Sequence, residues 1–90
     1  MKQCFHGTVT GRVQGVFFRD NLRKMAIQHG VTGWVKNLAD GRVEWMICGD
    51  AASLQILLDW LQTGPPAAHV TQVNSEPAAL QEFSSFEILR

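Results

Sequence analysis

The stretch that decides the fold is Gly11-Arg12-Val13-Gln14-Gly15-Val16-Phe17-Phe18-Arg19. On its N-terminal side, Phe5, Val9 and Val13 recur at an even spacing, which is the pattern of a half-buried β-strand. On its C-terminal side, apolar residues recur at steps of three and four as far as Gly30, which predicts a helix that ends at a glycine. The stretch between them therefore predicts a tight glycine turn that connects a strand to a helix.

The remainder of the chain predicts four more strands and a second helix. Asp40-Gly41 predicts a hairpin turn, and leucines at steps of three and four mark the second helix, with Asp50 as its N-cap. Glu76-Pro77 is expected to lie in a connection. The predicted strands are 4–13, 31–37, 43–47, 68–74 and 83–89, and the predicted helices are 18–29 and the segment between 50 and 64.

This order of elements predicts an α+β fold, a ferredoxin-like βαββαβ sandwich with two helices on one face of an antiparallel sheet, plus a short C-terminal strand. Residues 1–90 are expected to form one domain. In that topology the first two strands run in the same direction with the third between them. The loop 14–19 and Asn37 should therefore be neighbours. The same topology places Cys4 opposite Cys48, so both a disulfide and two free thiols are open at this point.

Charge is distributed unevenly along a chain whose formal net charge is +0. Seven basic and two acidic residues precede residue 43, whereas one basic and six acidic residues follow. The first half is therefore the favoured place for a small anion. The N-terminus lacks the apolar stretch of a secretory signal, and no apolar run approaches the ~20 residues of a membrane span. We expect a soluble cytoplasmic protein with no membrane partner.

The loop 11–19 has the composition of an anion-binding site. Gly11 and Gly15 can adopt backbone conformations that turn several N–H groups to one side, next to the positive end of a helix dipole. Arg19 adds a planar fork that can bind two phosphate oxygens. The loop lacks the lysine and Ser/Thr of a nucleotide P-loop, which argues against a magnesium–nucleotide complex.

At this point the sequence resembles a known family. Residues 11–19 are similar to the acylphosphatase signature, and residues 33–37 followed by 40–44 are similar to its second signature. Similarity continues through residues 64–70 and 83–88, so it extends over nearly the whole chain.

The resemblance implies hydrolysis of acyl phosphates to a carboxylate and inorganic phosphate, with no metal or cofactor, by a monomer without a nucleic-acid partner. It implies that Arg19 binds the phosphate and that Asn37 positions the attacking water. Phe17, beside the loop, is expected to influence substrate fit. The residues implied in phosphate binding are Gln14, Gly15, Val16, Phe17, Phe18 and Arg19. Because a carboxylate with a conjugate-acid pKa of about 4 leaves readily, the reaction needs no general acid.

Three alternatives remain open from the sequence. Ferredoxin-like sheets also form RNA-binding modules and small-molecule-sensing regulatory domains. The first strand lacks the paired exposed aromatic residues of an RNA platform, and the net charge argues against one. A non-catalytic module that binds phosphate or carbamoyl phosphate is the third alternative, and turnover by the isolated chain distinguishes it from the enzyme.

Overall fold

The predicted elements all form in the computed structural model, which describes residues 1–89. The predicted domain limit at Arg90 lies outside the described residues. In chain order the elements are β1 (Lys2–Arg12), α1 (Phe18–Gln28), β2 (Thr32–Asn37), β3 (Val43–Asp50), α2 (Ala51–Leu61), β4 (His69–Ala78) and β5 (Phe86–Leu89). Within residues 1–89, no helix is long and apolar enough to cross a membrane.

The five strands form one sheet in the order β4-β1-β3-β2-β5. β3 is antiparallel to both β1 and β2, so those two strands run in the same direction, as predicted. β5 joins the edge of the sheet parallel to β2. The α+β ferredoxin-like fold is therefore confirmed, and the loop after β1 and the end of β2 lie at the same end of the sheet.

The main core lies between the sheet and the two helices. Every second residue of the central strands faces the helices, because side chains alternate along a strand. The strand residues of this core include Val9, Val35, Val43, Trp45 and Ile47, and the helix residues include Phe18, Leu22, Leu54, Leu57 and Leu61. All of them are buried, and each large apolar side chain contributes about 1.5–3 kcal/mol on burial.

The opposite face of the sheet holds a smaller apolar cluster. Cys4 and Cys48 are directly paired across β1 and β3 and form a disulfide, which decides between the two states that the sequence left open. The segment 79–85, between the two edge strands, places Phe83 against this cluster. The backbone N–H of Gln81 donates a hydrogen bond of 3.4 Å to Cys4 Sγ. The disulfide is therefore buried beneath this segment.

Some predicted bounds differ from the structure: β1 ends at Arg12, and β3 continues to Asp50. β4 extends to Ala78 and includes Pro77, which was predicted to lie in a connection. A proline lacks the N–H of a ladder bond, but β4 is an edge strand, where that loss is tolerated. β5 begins only at Phe86, because the segment 79–85 before it lies against the face of the sheet opposite the helices. Asp50 is the N-cap of α2, as predicted, although its carboxylate makes no capping hydrogen bond.

Candidate active site

The loop between β1 and α1 is anchored by three buried side chains. Val13, Val16 and Phe18 are only 1%, 4% and 1% exposed, so the loop is fixed to the core at both ends and in its middle. Between these anchors, Gly15 and Phe17 have left-handed backbone angles, with φ of 73° and 64°. A Cβ atom at Gly15 would meet nothing within 4 Å, so the glycine is required by its backbone angle and not by a lack of space.

The backbone amides of this loop are free to bind a ligand. From Gln14 to Arg19, no backbone N–H donates a hydrogen bond to another group within residues 1–89. The backbone N–H and side-chain amide of Asn21 both donate to the carbonyl of Phe17, at 3.1 and 2.8 Å. Because the C=O and N–H of one peptide point in opposite directions, these bonds turn the N–H of Phe18 away from the helix. The loop therefore presents unsatisfied donors at the positive end of α1.

Arg19 brings a positive charge to these donors. It is half-buried and lines a cavity of about 230 Å³ together with Gly15, Phe17 and Asp20. In the described part of the chain, no carboxylate lies within 4.0 Å of its guanidinium group, and the four ion pairs involve other residues. A half-buried arginine without a carboxylate partner is suited to bind a phosphate, which it can hold through two hydrogen bonds.

Asn37 ends β2, where it is paired with Val43 of β3. Its Oδ1 atom is buried and has no hydrogen-bond partner within residues 1–89. A buried amide oxygen is normally paired, so this atom is an acceptor that the described part of the protein leaves unsatisfied. Asn37 does not line the cavity that Arg19 lines. The structure thus places the two predicted catalytic residues at the same end of the sheet, but not in one cavity.

The side chain of Gln14 connects these two parts of the site. Its Nε2 atom donates hydrogen bonds to the backbone carbonyls of Leu38, at 2.8 Å, and Arg42, at 2.9 Å. Leu38 directly follows Asn37, so the expected proximity of the loop and the end of β2 is confirmed. The family resemblance implies phosphate binding by Gln14, and these two hydrogen bonds of its side chain were not predicted. The one available signal was a long polar side chain between two buried valines.

The turn between β2 and β3 is itself tightly hydrogen-bonded. The N–H of Leu38 donates to the carbonyl of Arg42 at 2.8 Å. The Asp40 carboxylate accepts from the backbone N–H of Arg42 at 3.1 Å and from its Nε at 2.8 Å. These contacts, the backbone N–H first, hold the pKa of Asp40 below its ordinary value of 3.8. The turn therefore holds in place the two carbonyl groups, of Leu38 and Arg42, that accept hydrogen bonds from Gln14.

Side chains suited to metal binding are not grouped near this site. Across residues 1–89, no three His, Cys, Asp or Glu side chains are arranged to hold a metal ion.

Comparisons with known proteins agree on one family. The acylphosphatase family model matches residues 5–88. An acylphosphatase of Coxiella burnetii is 49% identical over 85 residues, which cover 94% of this chain and 90% of that one. The structure of an acylphosphatase from Coxiella burnetii superposes with a TM-score of 0.94 at 48% identity, over 98% of this chain and 93% of that one. The acylphosphatase of Bacillus subtilis superposes with a TM-score of 0.93 at 35% identity over the full length of both chains.

Proposed function

Because this chain belongs to the acylphosphatase family and is a hydrolase of acyl phosphates, we propose that Arg19 and the loop amides bind the substrate phosphate while Asn37 positions the attacking water. The observation that carries the proposal is the row of unpaired N–H groups from Gln14 to Arg19 beside a guanidinium group that has no carboxylate partner within residues 1–89. Such donors stabilise the charge that builds up on the phosphoryl oxygens in the transition state.

The proposed reaction is a direct displacement at phosphorus. The water oxygen forms a bond to phosphorus while the bond from phosphorus to the acyl oxygen breaks, and the carboxylate leaves with the electron pair. A phosphate oxygen takes the proton of the water. Since the carboxylate is a good leaving group, alignment and charge stabilisation account for most of the catalysis.

The role of Asn37 is supported by its unpaired buried Oδ1 atom. A carboxamide has no titratable group near neutral pH, so it cannot act as a general base in the usual sense. Its oxygen can accept a hydrogen bond from water and direct a lone pair of that water towards phosphorus. Asn37→Ala should therefore remove turnover and leave phosphate binding intact.

The test is hydrolysis of acetyl phosphate in excess EDTA by the intact protein, Arg19→Ala and Asn37→Ala. Lys24→Ala, at an exposed basic residue of α1, and Asn74→Ala, at an exposed asparagine of β4, are the matched controls. We expect Arg19→Ala to lose phosphate binding and at least ~10³-fold in kcat/KM, and both controls to behave like the intact protein. Normal turnover in Arg19→Ala or Asn37→Ala would refute the role of that residue. An intact protein that binds phosphate without turnover would support the alternative of a non-catalytic phosphate or carbamoyl-phosphate module.

The same proposal includes a single domain over residues 1–90 that acts as a monomer in the cytoplasm on a small acyl phosphate. Disulfides are uncommon in reducing compartments, so the state of Cys4 and Cys48 bears on the location. Light scattering after gel filtration measures the oligomeric state. Intact mass of protein alkylated during cell lysis measures whether the disulfide exists where the protein acts.

A further inference from the structure

Phe17 is an unusual residue for its position. It is the N-cap of α1 with φ 64° and ψ 26°, a left-handed conformation that is strained for a bulky residue. Its side chain makes no capping hydrogen bond, and the residue is 73% exposed. Glycine or asparagine would adopt the same backbone angles with less strain and would expose less apolar surface. Stability and solubility therefore do not explain the aromatic ring.

The position of Phe17 indicates what the ring contacts. Phe17 lines the same cavity as Gly15 and Arg19, and most of its surface is exposed, so this residue lies where the cavity opens to solvent. The acyl group of a phosphate bound at the loop amides would extend towards the open side of this cavity, where Phe17 is exposed. Asp20 also lines the cavity, and its carboxylate would repel an acyl group with a second negative charge.

From these observations we propose that Phe17 is a specificity-determining residue that selects acyl phosphates with an apolar, planar acyl group. An aromatic acyl group can pack on the exposed ring by offset stacking or edge-to-face contact, whereas an acetyl group offers one methyl. This inference rests on the proposed function, because it requires the phosphate to occupy the loop. The strain at Phe17 is retained because the ring improves binding of the substrate in the transition state.

The experiment compares kcat/KM for benzoyl phosphate and acetyl phosphate in the intact protein and in Phe17→Asn, Phe17→Leu and Phe17→Tyr. We expect the benzoyl-to-acetyl ratio of kcat/KM to fall about three- to tenfold in Phe17→Asn, which is the effect of losing one aromatic contact. The ratio should fall less in Phe17→Leu and should be retained in Phe17→Tyr. Inhibition by inorganic phosphate should change less than this ratio, because each variant keeps the backbone amide of residue 17. Because asparagine tolerates left-handed angles, the Tm of Phe17→Asn should not fall.

Leu80→Asn is the control, since Leu80 is 62% exposed and lies outside the cavity. Its substrate ratio should equal that of the intact protein. A parallel loss for both substrates in Phe17→Asn would overturn the inference, because the ring would then act through the shape of the loop. An unchanged ratio in Phe17→Asn would also overturn the inference. The proposed function would still stand in that case if Phe17→Asn hydrolyses acetyl phosphate and Arg19→Ala does not.

Discussion

The Nε2 atom of Gln14 lies 2.8 Å from the carbonyl oxygen of Leu38, the residue directly after Asn37. A second hydrogen bond from the same atom reaches the carbonyl of Arg42. One side chain thus joins the loop that carries the free amides to the strand end that carries Asn37, the residue proposed to position the water. Gln14 is therefore a positioning residue in the proposed site, because its side chain acts through its neighbours.

Replacing Gln14 with alanine should separate the two halves of the site. We expect kcat for acetyl phosphate to fall about 10- to 100-fold, because small displacements of reacting groups have effects of this size. Inhibition by inorganic phosphate should change much less, since the loop amides and Arg19 remain. Two carbonyls lose a donor, so the free energy of unfolding should also fall by about 1–3 kcal/mol.

Gln14→Glu tests whether the donor matters or only the volume of the side chain. A carboxylate accepts hydrogen bonds and cannot donate to a carbonyl, so this variant should be as impaired as Gln14→Ala. Gln72→Ala is the control, since within residues 1–89 the side chain of Gln72 bonds only to Asn74 on the exposed surface of β4. Equal losses in kcat and in phosphate binding would contradict a positioning role.

The pH dependence of turnover should be nearly flat between about pH 5 and 9. An arginine guanidinium stays protonated throughout this range, and an asparagine amide does not titrate. The measurement is kcat/KM for acetyl phosphate across the range at constant ionic strength, with a check that the protein stays folded. A bell-shaped profile with two protein pKa values would require a general acid and a general base that the proposed site does not contain.

Reduction of the Cys4–Cys48 disulfide should destabilise the protein without changing its chemistry. The bond links residues 44 positions apart, which in the chain-entropy model stabilises the fold by about 3–4 kcal/mol. Reductant should therefore lower Tm by more than about 10 °C, while kcat at 25 °C stays constant, because Cys4 lies near the start of β1 and the candidate site follows its end. The double variant Cys4→Ala/Cys48→Ala should have the lower Tm with or without reductant. An intact mass that does not change on reduction would disprove the disulfide.

The Asp40 carboxyl group should titrate below pH 3.8 in the folded protein. Its lowered pKa means that the charged form stabilises the fold above this value, and that this contribution is lost as the pH falls through the folded pKa. Carboxyl NMR across an acid titration measures the midpoint. Since the largest cause is the backbone N–H of Arg42, Arg42→Ala should keep part of the shift. A midpoint at or above 3.8 in the intact protein would show that the turn contacts do not form in solution.

The regular parts of the fold were predictable because one physical signal dominates each of them. One core explains both patterns: the even spacing of Phe5, Val9 and Val13 in the first strand, and the leucines at steps of three and four in α2. The topology then followed from the order of elements, and it placed Cys4 opposite Cys48.

The irregular parts were not predictable because they depend on distant contacts. β4 continues through Pro77 because it pairs with Phe5, more than 70 residues earlier along the chain, and no local pattern contains that information. The strained backbone of Phe17 and the two bonds of Gln14 are likewise properties of the assembled loop. Motif similarity identified these residues as important, but the structure was needed to separate the role of a side chain from that of its amide.

The position of β1 between β3 and β4 also has a consequence for biosynthesis. β1 forms no hairpin with its neighbour in sequence, and both of its partners are made after it, at 43–50 and 69–78. Contacts between residues so far apart in sequence form slowly, since a long loop must close first. β1 therefore lacks its partner β4 until residues 69–78 have been made, and a chain interrupted before residue 78 leaves one edge of β1 open to aggregation and proteolysis.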